Sequence, residues 1–237
     1  MTNSSNTGAE QVLDLASIHH VLKTTRSVRR RLDLEKPVPR ALIEEAIDIA
    51  LQAPTGANTQ TWRFMVVTEA GLKAKIADYY RRGAEHYVAG KTGLSRTGVT
   101  AMREYDAPDL RQQQRAAVIE SGGFLMENLQ KVPAYIIPCI EGRFETDDVF
   151  TQASMWGSIL PATWSLMLAL RARRIASAWT TLHLQFEKEV SALLGIPADY
   201  TQAALLPVAW LKGGDLKPAK RLPARALTGW NAWGSQA

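Results

Sequence analysis

Two stretches of this sequence carry side chains whose types and spacing suit the binding of a polyanion and of a flat heterocycle. In Thr25-Arg26-Ser27-Val28-Arg29, two guanidinium groups flank a small hydroxyl. Guanidinium forks bind phosphate oxygens bidentately, and a serine adds a neutral donor. In Ala53-Pro54-Thr55-Gly56-Ala57-Asn58-Thr59-Gln60-Thr61-Trp62-Arg63-Phe64, a proline and a glycine force a turn, and Asn58 and Gln60 each offer donor and acceptor groups. Taken singly, a basic helix end and a helix-to-strand connection explain these stretches equally well.

The charge distribution sharpens the first of them. The net charge is +5, but residues 20–40 carry +5 (Lys23, Arg26, Arg29, Arg30, Arg31, Lys36 and Arg40 against Asp33 and Glu35). Residues 212–225 carry +4 (Lys212, Lys217, Lys220, Arg221 and Arg225 against Asp215), which leaves the remainder acidic at −4. If folding joins these distant segments, they form one concentrated anion site; if it does not, they are a solvated charged surface. A nucleic-acid interface would be expected to interleave aromatics with the charges or to show a recognised motif, and neither segment does. No nucleic-acid partner is expected.

Side-chain chemistry is otherwise sparse. His19, His20, His86 and His183 show no paired ligand spacing, and no P-loop, GxGxxG or GxSxG run occurs. No metal site is expected. Cys139, the only cysteine, sits in an apolar run and reads as an inert small hydrophobe, and Asp147-Asp148 reads as a solvated turn. A chain with neither an evident nucleophile nor an acid–base pair points to chemistry carried by a bound cofactor.

The elements that must position these residues follow from periodicity and breakers. Helices are predicted over Leu13–Lys23, behind Pro37 and Pro39 (with Ile43, Ala46, Ile47 and Ala50 in register), and over Gly71–Arg82, Asp109–Leu129, Val149–Arg171 and Phe186–Leu194. Strands are predicted at Trp62–Thr68, Ala134–Ile140, Ile175–Leu182 and Ala203–Leu211, with Pro138 hinting at an edge or bulge. Residues 83–108 carry four glycines and no sustained period, so they read as a long loop of the kind that serves as a lid.

The chain has 237 residues, 46% hydrophobic and 22% charged, the proportions of a globular protein of α+β class. Residues 1–12 read as a disordered tail and 13–237 as a single domain with a C-terminal arm. Phe150–Leu170 is long and apolar, but Gln152, Ser154, Gly157, Ser158, Pro161 and Ser165 argue against a bilayer span, so no membrane partner is expected. The lone cysteine fits a reducing, cytoplasmic setting.

The two opening motifs, in this order and about thirty residues apart, resemble the FMN-dependent nitroreductase family, with its Arg-Arg-Ser-x-Arg run and its Ala-Pro-Ser-Gly-x-Asn-x-Gln-Pro-Trp turn. Supporting likeness continues through Gly157-Ser158-Ile159-Leu160-Pro161-Ala162, Thr180-Thr181-Leu182, Leu194-Gly195-Ile196-Pro197 and Lys220-Arg221-Leu222-Pro223. The resemblance covers roughly Val21 to Trp233.

It implies an α+β sandwich around a mostly antiparallel sheet and a homodimer with FMN at the interface, one subunit's C-terminal arm reaching over the other. Carried across by position, Arg26, Ser27, Arg29, Arg221 and Lys220 would hold the FMN phosphate. Pro54, Thr55 and Asn58, with Gln60 nearby, would line the isoalloxazine from the partner subunit, and Thr181 and Leu182 would present backbone groups to its reactive edge. The implied activity is a ping-pong oxidoreductase that takes electrons from NADH or NADPH and reduces electron-poor acceptors such as nitroaromatics or quinones. A specialised member of the family (a reductive dehalogenase or a flavin-modifying enzyme) and a non-catalytic flavin-binding or storage protein are the alternatives. The chain departs from the pattern at Thr25, Thr55, Thr61 and Trp164-Ser165, and at Arg173-Arg174-Ile175-Ala176-Ser177, where the family carries a glycine-rich run.

Overall fold

One strand organises the rest. β2 (Ala134–Glu141) is buried along seven of its eight residues in the computed structural model, which describes residues 13–97, 103–106 and 108–234. Its side chains alternate between two cores, as a strand covered on both faces must. Tyr135, Ile137 and Cys139 pack toward one cluster, and Ala134 and Ile136 toward another. On one side β2 pairs antiparallel with β1 (Trp62–Val67), from Trp62 opposite Ile140 to Val67 opposite Tyr135.

On its other side β2 meets two short strands in succession, β4 (Tyr200–Gln202) and β5 (Leu206–Trp210). Cys139 lies opposite Gln202 and Ile136 opposite Leu206, so the partner strand carries one extra residue across this stretch. Pro138 lacks an N–H, and its carbonyl takes the Ala203 N–H at 2.8 Å within that bulge. The expected strand over Ala203–Leu211 is therefore divided around a bulge, and Pro138 marks a central strand rather than an edge. β3 (Ile175–Ser177) completes the sheet beyond β5, giving the order β1-β2-β5-β3 with every pairing antiparallel. β3 is shorter than the expected Ile175–Leu182. After Ser177 only a single bridge, Thr180 to Leu205, continues the pairing before a 3-10 turn at Leu182–Phe186.

Helices cover both faces. α2 (Arg40–Ala50) buries Ile43, Ala46 and Ala50 beside the second half of α6 (Val149–Ala172). On the opposite face lie α3 (Ala70–Val88), α5 (Leu110–Asn128) and α7 (Glu187–Leu194), and Gly195 ends α7 in the left-handed conformation. α1 (Leu15–Thr24) precedes them all and packs against α6. Carboxylates cap four of these helices: Asp14, Glu69, Asp109 and Asp148 each accept N–H groups of the first turn. Asp148 thus opens α6 rather than forming a free turn.

α3 runs to Val88, through Gly83, into the region read as a loop. Gly83 belongs there because a Cβ on it would stand 2.1 Å from the Leu182 carbonyl oxygen. A further short helix, α4 (Leu94–Thr97), follows, while residues 98–102 and 107 of that region, like the expected tail at 1–12, lie outside the described residues. α6 is long and apolar enough to cross a membrane by length and composition. It is not core throughout: Ile159, Ala162, Leu166, Met167 and Leu170 are buried, whereas Val149 and Phe150 at its start are about 80% exposed.

Candidate functional site: an anion cleft joining the two basic segments

The chain leaves α1 extended at Thr25, turns at Arg30–Arg31, and is clipped to the end of β3. The Val28 N–H donates to the Ser177 carbonyl at 2.8 Å, and the Trp179 N–H donates to Ser27 Oγ at 2.9 Å. The Ser27 hydroxyl accepts that bond and keeps its own proton to donate. A single bridge, Leu32 to Leu211, and the Lys212 N–H on the Arg31 carbonyl at 2.8 Å carry the C-terminal segment alongside.

The result is a cleft of about 760 Å³. Arg26, Ser27, Arg29, Arg30, Arg31, Lys220 and Arg221 line it, and no Asp or Glu does. Gln114, Ala117, Val118 and Ser121 of α5 close one side at three- and four-residue spacing, and Trp164 of α6 stands at another. The two basic segments of the sequence therefore share one site.

The arginines divide by partner. Arg30 pairs with Glu120 at 2.9 Å. Arg31 is spent on the backbone: its Nε donates to the Lys212 carbonyl at 2.9 Å, and its terminal nitrogens donate to the Gly214 and Asp215 carbonyls. Among the described residues, Arg26 and Arg29 have no carboxylate partner within 4.0 Å, and Arg221 donates only to the Lys220 carbonyl next to it, at 3.1 Å. Arg29 also lies close enough to Tyr80 to oppose the upward push that burial gives that phenol's pKa; Tyr80 in turn hydrogen-bonds Thr180 at 2.9 Å.

The residues expected around the heterocycle lie outside this cleft. Gly56–Asn58 form a 3-10 turn in which Pro54, Asn58 and Gln60 are exposed and Thr55 is half-buried. Ala57, Asn58 and Gln60 have φ of 48°, 56° and 52°, three left-handed residues with no glycine among them, while Thr59 between the last two is right-handed at −68°. Within the turn, the Gln60 N–H donates to Thr55 Oγ1 at 3.3 Å and Gln60 Nε2 to Asn58 Oδ1 at 3.0 Å. Its tie to the body is Ser158 of α6, which accepts the Gly56 N–H at 2.9 Å and donates to the Ser154 carbonyl at 2.8 Å. Ser158 and Trp164 are six residues apart, so they project from faces of α6 about 120° apart.

Thr181 is exposed, and the Leu182 carbonyl is turned onto Gly83 of α3. Directly behind them His183 is fully buried and has no hydrogen-bond partner on either ring nitrogen among the described residues. Burial lowers its pKa to about 4, against a smaller opposing influence from Gln202 and Glu187. Cys139 is buried and its thiol is pushed up to about 12, chiefly by burial, which fits the inert role read from the sequence.

Sequence reasoning missed the ionic tie formed by Asp215, Arg171 and His20 beside the cleft. Asp215 receives Arg171, His20 (Nε2 to Oδ2, 2.6 Å) and the Leu216 N–H (2.8 Å). The only signal available was that Asp215 is the one acid in a strongly basic segment. Arg173 and Arg174, where a glycine-rich run was expected, close the α6–β3 turn: Arg174 takes φ of 60° and donates to the Gly213 carbonyl at 3.1 Å, and Arg173 pairs with Glu45 at 3.3 Å.

Comparison with known proteins agrees with this architecture. The iodotyrosine deiodinase structure solved with FMN and 3-iodo-L-tyrosine covers 91% of this chain and all of that chain, with a TM-score of 0.62 at 20% identity. The FMN-dependent nitroreductase NfnB from Mycobacterium smegmatis, solved in complex with NADPH, covers 92% and 99%, with a TM-score of 0.63 at 17% identity. Among curated sequences, a putative NADH dehydrogenase/NAD(P)H nitroreductase of Stenotrophomonas maltophilia is 39% identical over 71 residues, or 30% of this chain and 35% of that protein's length. The chain thus matches about a third of the length of that relative. Iodotyrosine deiodinase 1 of Rattus norvegicus is 26% identical over 211 residues, 84% of this chain and 64% of that protein. The family model described as "Nitroreductase family" matches residues 22–210, most of the chain and all of its sheet, and the protein therefore belongs to the nitroreductase family.

Proposed function

We propose that this chain is an FMN-dependent oxidoreductase that accepts electrons from NADH or NADPH and passes them to electron-poor acceptors such as nitroaromatics or quinones. One observation carries the reading: Arg26, Ser27, Arg29, Lys220 and Arg221 line a single cleft that contains no carboxylate. That donor set fits a phosphate monoester dianion, because Arg26 and Arg29 have both their charge and their N–H groups uncommitted among the described residues. FMN, when bound, supplies the two-electron exchange. The chain's own residues bind and orient: the arginines fix the phosphate end, and Thr55, Asn58 and Gln60 offer neutral donors and acceptors to a ring edge. Trp164 and the Ala117–Val118 side of α5 narrow the space open to water. Donor and acceptor would use the same face in turn, which needs no acid–base pair on the protein.

The same reading makes the protein a homodimer in a reducing, cytoplasmic setting. Pro54, Thr55 and Asn58 lie outside the cleft of their own chain, so a second copy is needed to bring such a turn to it. Val118 and Ile119 of α5, Phe150 of α6 and the arm residues Leu222, Leu227, Trp230 and Trp233 are exposed apolar groups of the kind such an interface covers.

The deciding experiment is an absorbance spectrum of the purified protein with the released chromophore identified by mass, followed by stopped-flow reduction with NADH and NADPH. A flavin spectrum, FMN on release and rapid bleaching are expected. A colourless protein that takes up no added FMN overturns the reading, and a bound flavin that no donor reduces leaves a storage protein. The similarity to iodotyrosine deiodinase 1 over 211 residues favours reductive dehalogenation as a second reading, tested by offering a halophenol in place of the nitroaromatic.

A further inference from the structure

We infer that Asp215 is the positioning residue of the anion cleft: one carboxylate sets how closely the Leu216–Arg221 segment approaches Arg26 and Arg29. The inference rests on the phosphate reading above. Asp215 is held from three sides. Arg171, whose side chain is only 7% exposed, donates to Oδ1; His20 meets Oδ2 at 2.6 Å; and the Leu216 N–H closes back on Oδ1 at 2.8 Å.

Through these partners it ties down both lips of the cleft. On the C-terminal side, buried Leu216 begins the short run to Lys220 and Arg221. On the N-terminal side, Arg171 also donates to Thr24 Oγ1 at 3.1 Å, Thr24 donates to the His20 carbonyl at 2.7 Å, and Arg26 follows two residues later. Arg171 Nε has no partner among the described residues, so Asp215 supplies the only carboxylate this buried guanidinium has there. Separating the pair would leave an uncompensated buried charge on Arg171, which is costly, so the pair resists being pulled apart. Asp215 touches no ligand in this scheme; it acts through the cations and the chain that it holds.

Elementary electrostatics makes the inference falsifiable by sign. If Asp215 were a bystander, its negative charge would repel a bound dianion, and removing it would tighten binding. If it positions the lips, removing it weakens binding. The experiment titrates wild type, Asp215→Ala and Asp215→Asn with FMN and with riboflavin, which lacks the phosphate, and follows tryptic cleavage after Lys220 and Arg221. Asp215→Ala is expected to raise the FMN Kd about tenfold, the scale of losing a charge-assisted contact, while the riboflavin Kd is unchanged. Asp215→Asn keeps acceptors for Arg171 and Leu216 and is expected to show a smaller rise, and both variants are cut faster than wild type.

Unchanged or tighter FMN binding overturns the inference, as does an equal loss for FMN and riboflavin. If Asp215→Ala does not fold, the sign of the change in Asp215→Asn decides. If wild type binds no FMN, the phosphate reading fails, and the tryptic rates alone decide the positioning role: faster cutting of the variants supports it and equal rates overturn it.

Discussion

The cleft and the exposed turn at Pro54–Gln60 are both candidate walls of one flavin site, yet they are built in opposite ways. The cleft is assembled from residues about 190 positions apart, by charge and by backbone carbonyls: Arg31 collars the 212–215 turn, and His20 and Arg171 share Asp215. The turn is local. Its internal bonds span two to five residues, three left-handed residues other than glycine (Ala57, Asn58 and Gln60) give it strain of about 1 kcal/mol or more each, and Ser158 is its tie to the helix behind it. The first region holds its shape by satisfying charge within one chain. The second presents donors and acceptors outward, in a form suited to being covered by something else.

The largest way to break this contrast is to remove one cation from each lip. Arg26→Ala combined with Arg221→Ala is expected to weaken FMN binding by roughly a hundredfold or more, since hydrogen bonds to charged groups contribute about 1.5–3 kcal/mol each, while riboflavin binding changes little. Paired fluorescence titrations read the ratio, and retention of FMN in the double variant would reduce the cleft to a charged surface.

Acid offers a second lever, because the cleft and the buried segment behind Thr181 and Leu182 answer it in different windows. His183, behind Thr181 and Leu182, is held neutral with its pKa lowered to about 4 from 6.5, so the unfolded chain takes up a proton first as pH falls. Stability is unaffected above pH 6.5 and declines between there and about 4, by up to about 3 kcal/mol. Asp215 beside the cleft has its pKa lowered from 3.8, principally by the Leu216 N–H and with help from Arg171, so its contribution is present above that value and is lost only in stronger acid. Urea unfolding from pH 7 to 4.5 should therefore show a falling midpoint that His183→Gln largely flattens. A wild-type midpoint constant over that range would contradict the buried neutral imidazole.

The smallest effect belongs to the turn. Ser158→Ala removes one part-buried hydrogen bond and should cost about 1 kcal/mol in thermal or urea unfolding. FMN and riboflavin affinities should shift together, leaving their ratio as in wild type. A change in that ratio would mean that the turn and the cleft are mechanically joined.

What the sequence disclosed follows the same division. Periodicity placed α2, β1, β2 and the buried half of α6, because each is a run whose apolar spacing matches a single kind of element. It erred where a distant contact decides. Gly83 looked like a breaker and is a helical residue, since the reason for a glycine there lies on Leu182. Pro138 looked like an edge and sits in the central strand, because the irregularity it requires is absorbed by Ala203–Leu205 opposite. The cations of the cleft were visible as two charged segments. Asp215, His20 and Arg171, which hold those segments together, were not, because an ion pair between partners 44 or 195 residues apart leaves no local pattern.

The Leu32–Leu211 bridge and the Arg31 collar have a consequence for the order of events in the cell. One lip of the cleft is synthesised long before the other. A nascent chain that has emitted Arg26 and Arg29 has no complete receptor yet, and cofactor loading, if it uses this cleft, has to wait until residue 221 is free to fold back.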